Sequence, residues 1–107
     1  MANLFKNAKV DLTTTNATTL YTCPTATTAI VKSILVSEDS NNADTLTLTL
    51  TNASSVVYSI YKDKAVSAKQ TLELLSAPLV VEESEILKVT AATADRLHVV
   101  ASILEVS

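Results

Sequence analysis

Residues Thr45 to Thr51 read TLTLTLT. Leu46, Leu48 and Leu50 alternate with threonines without a break. A period of two is the period of a strand, because successive side chains leave its backbone on opposite sides. The leucines need an apolar core, and burying each contributes roughly 1.5–3 kcal/mol before conformational entropy is subtracted. The threonines, half polar and stiff at χ1, suit water or a neighbouring chain. TLTLTLT is thus one strand of a sheet whose threonine side faces water or another subunit.

Working outward, strand signals recur about every ten residues with turn signals between them. "AKVDL" places Val10 and Leu12 on one side. "TLYTCP" is a strand stopped by Pro24, which cannot donate to a ladder. "TAIVKSILVS", Thr28 to Ser37, is apolar on both faces except around Lys32 and Ser33, the pattern of a central strand covered on both sides. "SSVVYSIYK" puts Val56, Tyr58 and Ile60 on one face and Val57 and Tyr61 on the other. "DKAVSAKQ" reads as a loop with room for one helical turn. "TLELL", "APLVV" and "ILKVTA" are short strands, with "EESE" a turn before the last of them. "RLHVVASILEV" is a long strand with Leu97, Val99, Ala101 and Ile103 on one face. No segment keeps a helical period for three turns. These features predict an all-β chain, an antiparallel β-sandwich (jelly-roll or Ig-like) of about eight short strands. The predicted organisation is an N-terminal arm over residues 1–7, containing Leu4 and Phe5, and a single domain over residues 8–107.

Composition narrows the function. The 107 residues carry a net charge of −3, with no run of Lys or Arg, which argues against electrostatic binding of nucleic acid. No apolar stretch approaches the ~20 residues of a membrane span, and the first residues lack a signal-peptide pattern. There are no glycines. Average usage would supply roughly seven, so turns that need positive φ must use Asn, Asp and Ser, as in "SEDSNNAD". The absence of glycine also removes the phosphate-cradling loops. The sequons at Asn16 and Asn52 read as turn chemistry.

Catalytic and metal-binding sets are thin. A nucleophile needs a neighbouring base. The one histidine, His98, lies in a strand between Leu97 and Val99 and reads as a half-exposed surface residue. Cys23, also single, reads as a small buried hydrophobe. It excludes an internal disulfide and fits a reducing compartment. Structural zinc lacks ligands. The acidic groups Glu38, Asp39 and Asp44, and Glu82, Glu83 and Glu85, lack calcium-loop spacing and read as solvated turns. A sugar platform would need Trp or paired Tyr, and Tyr58 and Tyr61 fall on opposite faces. No catalytic, cofactor or metal site is expected, and the chain is expected to work through its surface.

Two segments carry a family resemblance. "TLYTCPTATTAIVKSILVS", Thr19 to Ser37, is similar to an opening found in many small structural proteins of tailed bacteriophages. "TLELLSAPLVVEESEILKVTAATADRLHVVASILEVS", Thr71 to Ser107, resembles their ending. The likeness covers about residues 18 to 107 as a strand-and-turn grammar. It departs at the turns, where "PTA" replaces a frequent Pro-Ala-Gly and "EESE" a frequent Gly-Asp. The resemblance implies a non-enzymatic virion protein with a β-sandwich fold, assembled in a bacterial cytoplasm. Its expected partners are major capsid or tail proteins and further copies of itself, with neither nucleic acid nor membrane among them. Capsid decoration is the leading expectation. The alternatives are a tail, neck or baseplate component, or a glycan- or calcium-binding module. Leu4 and Phe5 are the expected interface anchors, since isolated apolar residues in a polar terminus seek a pocket, on a neighbour or at the open end of the chain's own sandwich.

Overall fold

The structure, a computed structural model, describes residues 3–107. They form nine strands: β1 (Asn3–Asp11), β2 (Thr18–Thr22), β3 (Thr28–Glu38), β4 (Asp44–Thr51), β5 (Val57–Val66), β6 (Thr71–Glu73), β7 (Leu79–Val81), β8 (Ile86–Ala91) and β9 (Leu97–Val106). A five-stranded sheet has the order β1-β9-β3-β6, with β7 also on β3. A four-stranded sheet has the order β2-β8-β4-β5. Every pairing is antiparallel. β6 and β7 pair with the two ends of β3, at Leu35–Ser37 and Ala29–Val31, so they act as one strand broken near Pro78. With those two merged, the sheet orders become 1-8-3-6 and 2-7-4-5, the jelly-roll arrangement.

The core lies between the sheets, as the alternation requires. Leu46 and Leu48 are fully buried in one cluster with Leu87, Val89, Val99 and Ile103, while Thr45, Thr47 and Thr49 lie on the outer side. The pattern slips at the strand's end. The β4–β5 register shifts on either side of Leu48, Leu50 is only half-buried, and Thr51 turns inward with its hydroxyl unpartnered.

Three expectations change. Residues 3–7, expected as an arm, form the first half of β1 and pair with β9 from Asn3↔Val106 onward, while residues 1 and 2 lie outside the described residues. β3 is central but covered on one side only, because a bulge at Lys32 lets Val31 and Ile34 both face the core and leaves Leu35 exposed. "DKAV", expected as loop, completes β5 through further register shifts.

Among the described residues, seven take left-handed φ: Ala26, Asn41, Ser55, Asp63, Lys69, Ser84 and Asp95. Five are Asn, Asp or Ser, which tolerate this region by local hydrogen bonding. Ala26 and Lys69 have no such relief. Ala26, at φ 55°, ends the "PTA" turn, where the resembling phage proteins often carry glycine. A Cβ in this region costs about 1 kcal/mol, and the extra unfolded-state entropy of glycine offsets part of the gain. Ala26→Gly and Lys69→Gly are therefore each expected to leave Tm unchanged or raise it by a few degrees. Ala29→Gly, in buried extended backbone, should lower it; thermal melts of the three variants check the sign.

Candidate docking surface

β1 is the open edge of its sheet. Among the described residues it pairs only with β9, leaving its outer row of backbone donors and acceptors without a strand partner. Such an edge templates contact with another chain. Leu4 and Phe5 both lie on it, opposite Glu105 and Leu104, and point to opposite faces. They are 55% and 73% exposed.

The edge is fastened from below. Lys6 points inward, with its Nζ 3.5 Å from Glu105 Oε2 and 6.0 Å from the Tyr21 ring centre. Tyr21 donates its hydroxyl to the same Glu105 oxygen at 2.5 Å. Burial pushes the Tyr21 phenol up, and its hydrogen bond to Glu105 adds to the effect. This chain of contacts pins the strand carrying Leu4 and Phe5, so less ordering entropy is lost on docking. The sequence signal for it was parity: Glu105 continues the inward series Ala101, Ile103.

At the other end of β1, Asp11, His98 and Ser37 lie in one cross-strand row. The trio has the residue types of a hydrolase but not the geometry. His98 Nε2 lies 3.1 Å from Asp11 and Nδ1 lies 3.4 Å from Asp39, so neither nitrogen is left to take a proton from Ser37. Cys23 is 1% exposed, and burial pushes its thiol up.

The acidic turns split. Glu38, expected in solvent, is 2% exposed, and Asp44 is buried as well. Parity again explains Glu38, which continues Ile34 and Val36. Its carboxylate accepts the backbone N–H groups of Ser40 at 2.7 Å, Lys69 at 2.9 Å and Asn42 at 3.2 Å, together with the Ser40 hydroxyl. Glu85, in contrast, closes its own turn by accepting the Glu82 amide. Among the described residues, no group of three His, Cys, Asp or Glu side chains is placed to hold a metal ion, and no helix is long and apolar enough to cross a membrane. Tyr58 is exposed, whereas Tyr61 packs inward and donates to the Leu74 carbonyl, so the two form no platform. Asn52 Oδ1 accepts the Ser54 and Val56 amides, which is turn chemistry at that sequon.

No family model matches the chain, and no curated protein matches it. Among solved structures it is similar to a chain of the Bacillus endospore appendages, described as a novel family of disulfide-linked pili. That match has a TM-score of 0.59 at 9% identity, over 98% of this chain and 88% of the other. The chain is also similar to one from infectious bursal disease virus, Gx strain, with a TM-score of 0.58 at 10% identity. There the match covers 96% of this chain and 32% of the viral one, so the chain spans about a third of its length. At such identities the likeness establishes the fold, an antiparallel β-sandwich.

Proposed function

We propose that the chain is a non-enzymatic structural subunit of a bacteriophage virion, seated on the capsid exterior as a decoration protein. The observation that carries this reading is the open β1 edge, with exposed Leu4 and Phe5 on a strand held rigid by Lys6, Glu105 and Tyr21. Its support is threefold. The strand-and-turn grammar resembles that of small phage structural proteins. The fold is shared with a viral chain and with a chain of a pilus-forming family. The described side chains bring no free nucleophile and base together. The mechanism is adhesion: the edge and its two apolar side chains enter a groove between neighbouring particle subunits. Disulfide linkage, the property named for the Bacillus pili, is closed to Cys23 as buried. A tail, neck or baseplate position would use the same edge. A glycan or calcium module has less behind it, since the tyrosines are separated and Glu38 is saturated by its own chain.

Leu4→Ala with Phe5→Ala tests the docking role. Both side chains are mostly in water, so the double variant should melt within a few degrees of the parent. Its binding to phage particles, measured by co-sedimentation, should fall by at least about tenfold. Unchanged binding would reject these anchors, and a large loss of Tm would assign the two residues to the sandwich itself.

A further inference from the structure

The outer face of the five-stranded sheet carries an apolar band that stays uncovered among the described residues. Register places Phe5 beside Leu104, Leu104 beside Ile30, and Ile30 beside Val80, one row across the whole sheet. Phe5 and Val80, its two ends, are 73% and 53% exposed. A second row runs Lys9, Val100, Leu35, Glu73, with the two middle residues exposed. Between them lies a polar row of Asn7, Ser102 and Ser33, with the exposed Lys32 of the bulge beside Ser33, so that pairing sets this cation over the partner's Ser102. The second row has a cation at its β1 end and an anion at its β6 end.

That layout is self-complementary. We propose that this face pairs with the same face of a second copy, sheet on sheet, about a two-fold axis parallel to the strands between β9 and β3. Such an axis exchanges the two edges of the sheet. It sets Phe5 against the partner's Val80, Leu104 against the partner's Ile30, and Val100 against the partner's Leu35. It also sets Lys9 against the partner's Glu73, so opposite charges meet at both ends of the row. An axis across the strands, along the polar row, would instead set Lys9 against the partner's Phe5 and Glu73 against the partner's Val80, and is disfavoured. Packed sheets cross at about 30°, which moves the outer pairs by only a few Å, within reach of Lys and Glu. Strand spacing and rise give a face of about 19 by 27 Å, on the order of 500 Å² per copy and 1,000 Å² in all. That is the low end of specific interfaces, so the dimer dissociates on dilution. The backbone edge of β1 and Leu4 stay outside it, whereas Phe5 lies within it, so pairing and particle docking compete for that side chain. The pairing is a property of the isolated protein and does not depend on particle binding.

Sedimentation velocity across a concentration series, at low and high salt, reads the association. Wild type should shift from monomer to dimer, less completely in high salt. Val80→Lys puts an unpaired charge at each end of the apolar row, against the partner's Phe5, and should weaken dimerisation by more than about tenfold. It lies across the sheet from β1, so particle binding through that edge should survive it. Phe5→Cys with Val80→Cys gives a readout that does not depend on affinity. Within one copy these sites are three strand spacings, about 14 Å, apart, too far for a disulfide. Mild oxidation should therefore yield a dimer linked 5-to-80 between copies, identified by peptide mass. A protein monomeric at every concentration, a folded Val80→Lys variant that dimerises like wild type, or a dimer linked only 5-to-5 would each overturn the pairing.

Discussion

Leu48→Ala should cost about 2–5 kcal/mol and lower Tm by roughly 10–25 °C, whereas Thr49→Ala, one residue on, should cost less than about 1 kcal/mol. Leu48 is fully buried, opposite Val89 of β8 and Tyr61 of β5, with strands on both sides. Removing its isobutyl group loses the transfer free energy and leaves a cavity that two hydrogen-bonded ladders hold open. Thr49 projects from the other side of the same strand, half-buried beside Lys88. Its removal subtracts strand propensity and little packing. Thermal and denaturant melts of both variants measure the contrast, and equal costs would mean that β4 does not separate core from surface.

Acid should destabilise the protein progressively between about pH 5 and pH 2, and Glu38→Gln should remove much of that dependence. Burial alone would raise the Glu38 pKa. The Ser40 hydroxyl and the amides of Lys69, Ser40 and Asn42 outweigh burial and hold it at about 2. Glu73 behaves similarly. Burial is overcome by the Ser33 hydroxyl and by the amides of Leu75 and Ile34, so its carboxyl also stays below its usual range. A folded-state pKa below the unfolded one, near 4.5, stabilises above that value, and the contribution fades as pH falls through the folded one. Both carboxylates do structural work. Glu38 ties the turn after β3 to the loop before β6, and Glu73 supplies acceptors where β3 bulges between β6 and β7. Glu38→Gln turns an amide NH2 toward a cluster of donors, so Tm at pH 7 should drop by several degrees. An unchanged acid slope in that variant would assign the dependence to other groups.

What could be read from residues alone follows from how alternation works. β4 and β9 were legible because one face of each is apolar at every second residue, and β2 because Pro24 ends its ladder. The first half of β1 was not. Asn3 to Asn7 has no apolar parity, since both of its faces are exposed and the strand exists through backbone pairing with β9. Bulges hid more. The extra residue at Lys32 reverses the parity of β3 midway, so a strand half open to solvent looks apolar on both sides. Register shifts in β5 likewise hid its extension to Val66. Residue type marks Glu38 as a surface acid, although its spacing from Val36 already places it inside; Glu105, which drew no reading, stands in the same relation to Ile103. Leu4 and Phe5 stood out as apolar residues in a polar segment. Their setting on a pinned strand needs Lys6, Tyr21 and Glu105, which lie far apart in the chain.

The most direct test of the virion assignment is a cryo-EM reconstruction of particles from the lysate in which the chain is made. The expected result is repeated density for a two-sheet sandwich on the capsid exterior, with β1 and its Leu4 and Phe5 side chains seated against neighbouring subunits. Particles that lack the chain while it remains free in the lysate, or that hold it with β1 facing solvent, would contradict the account.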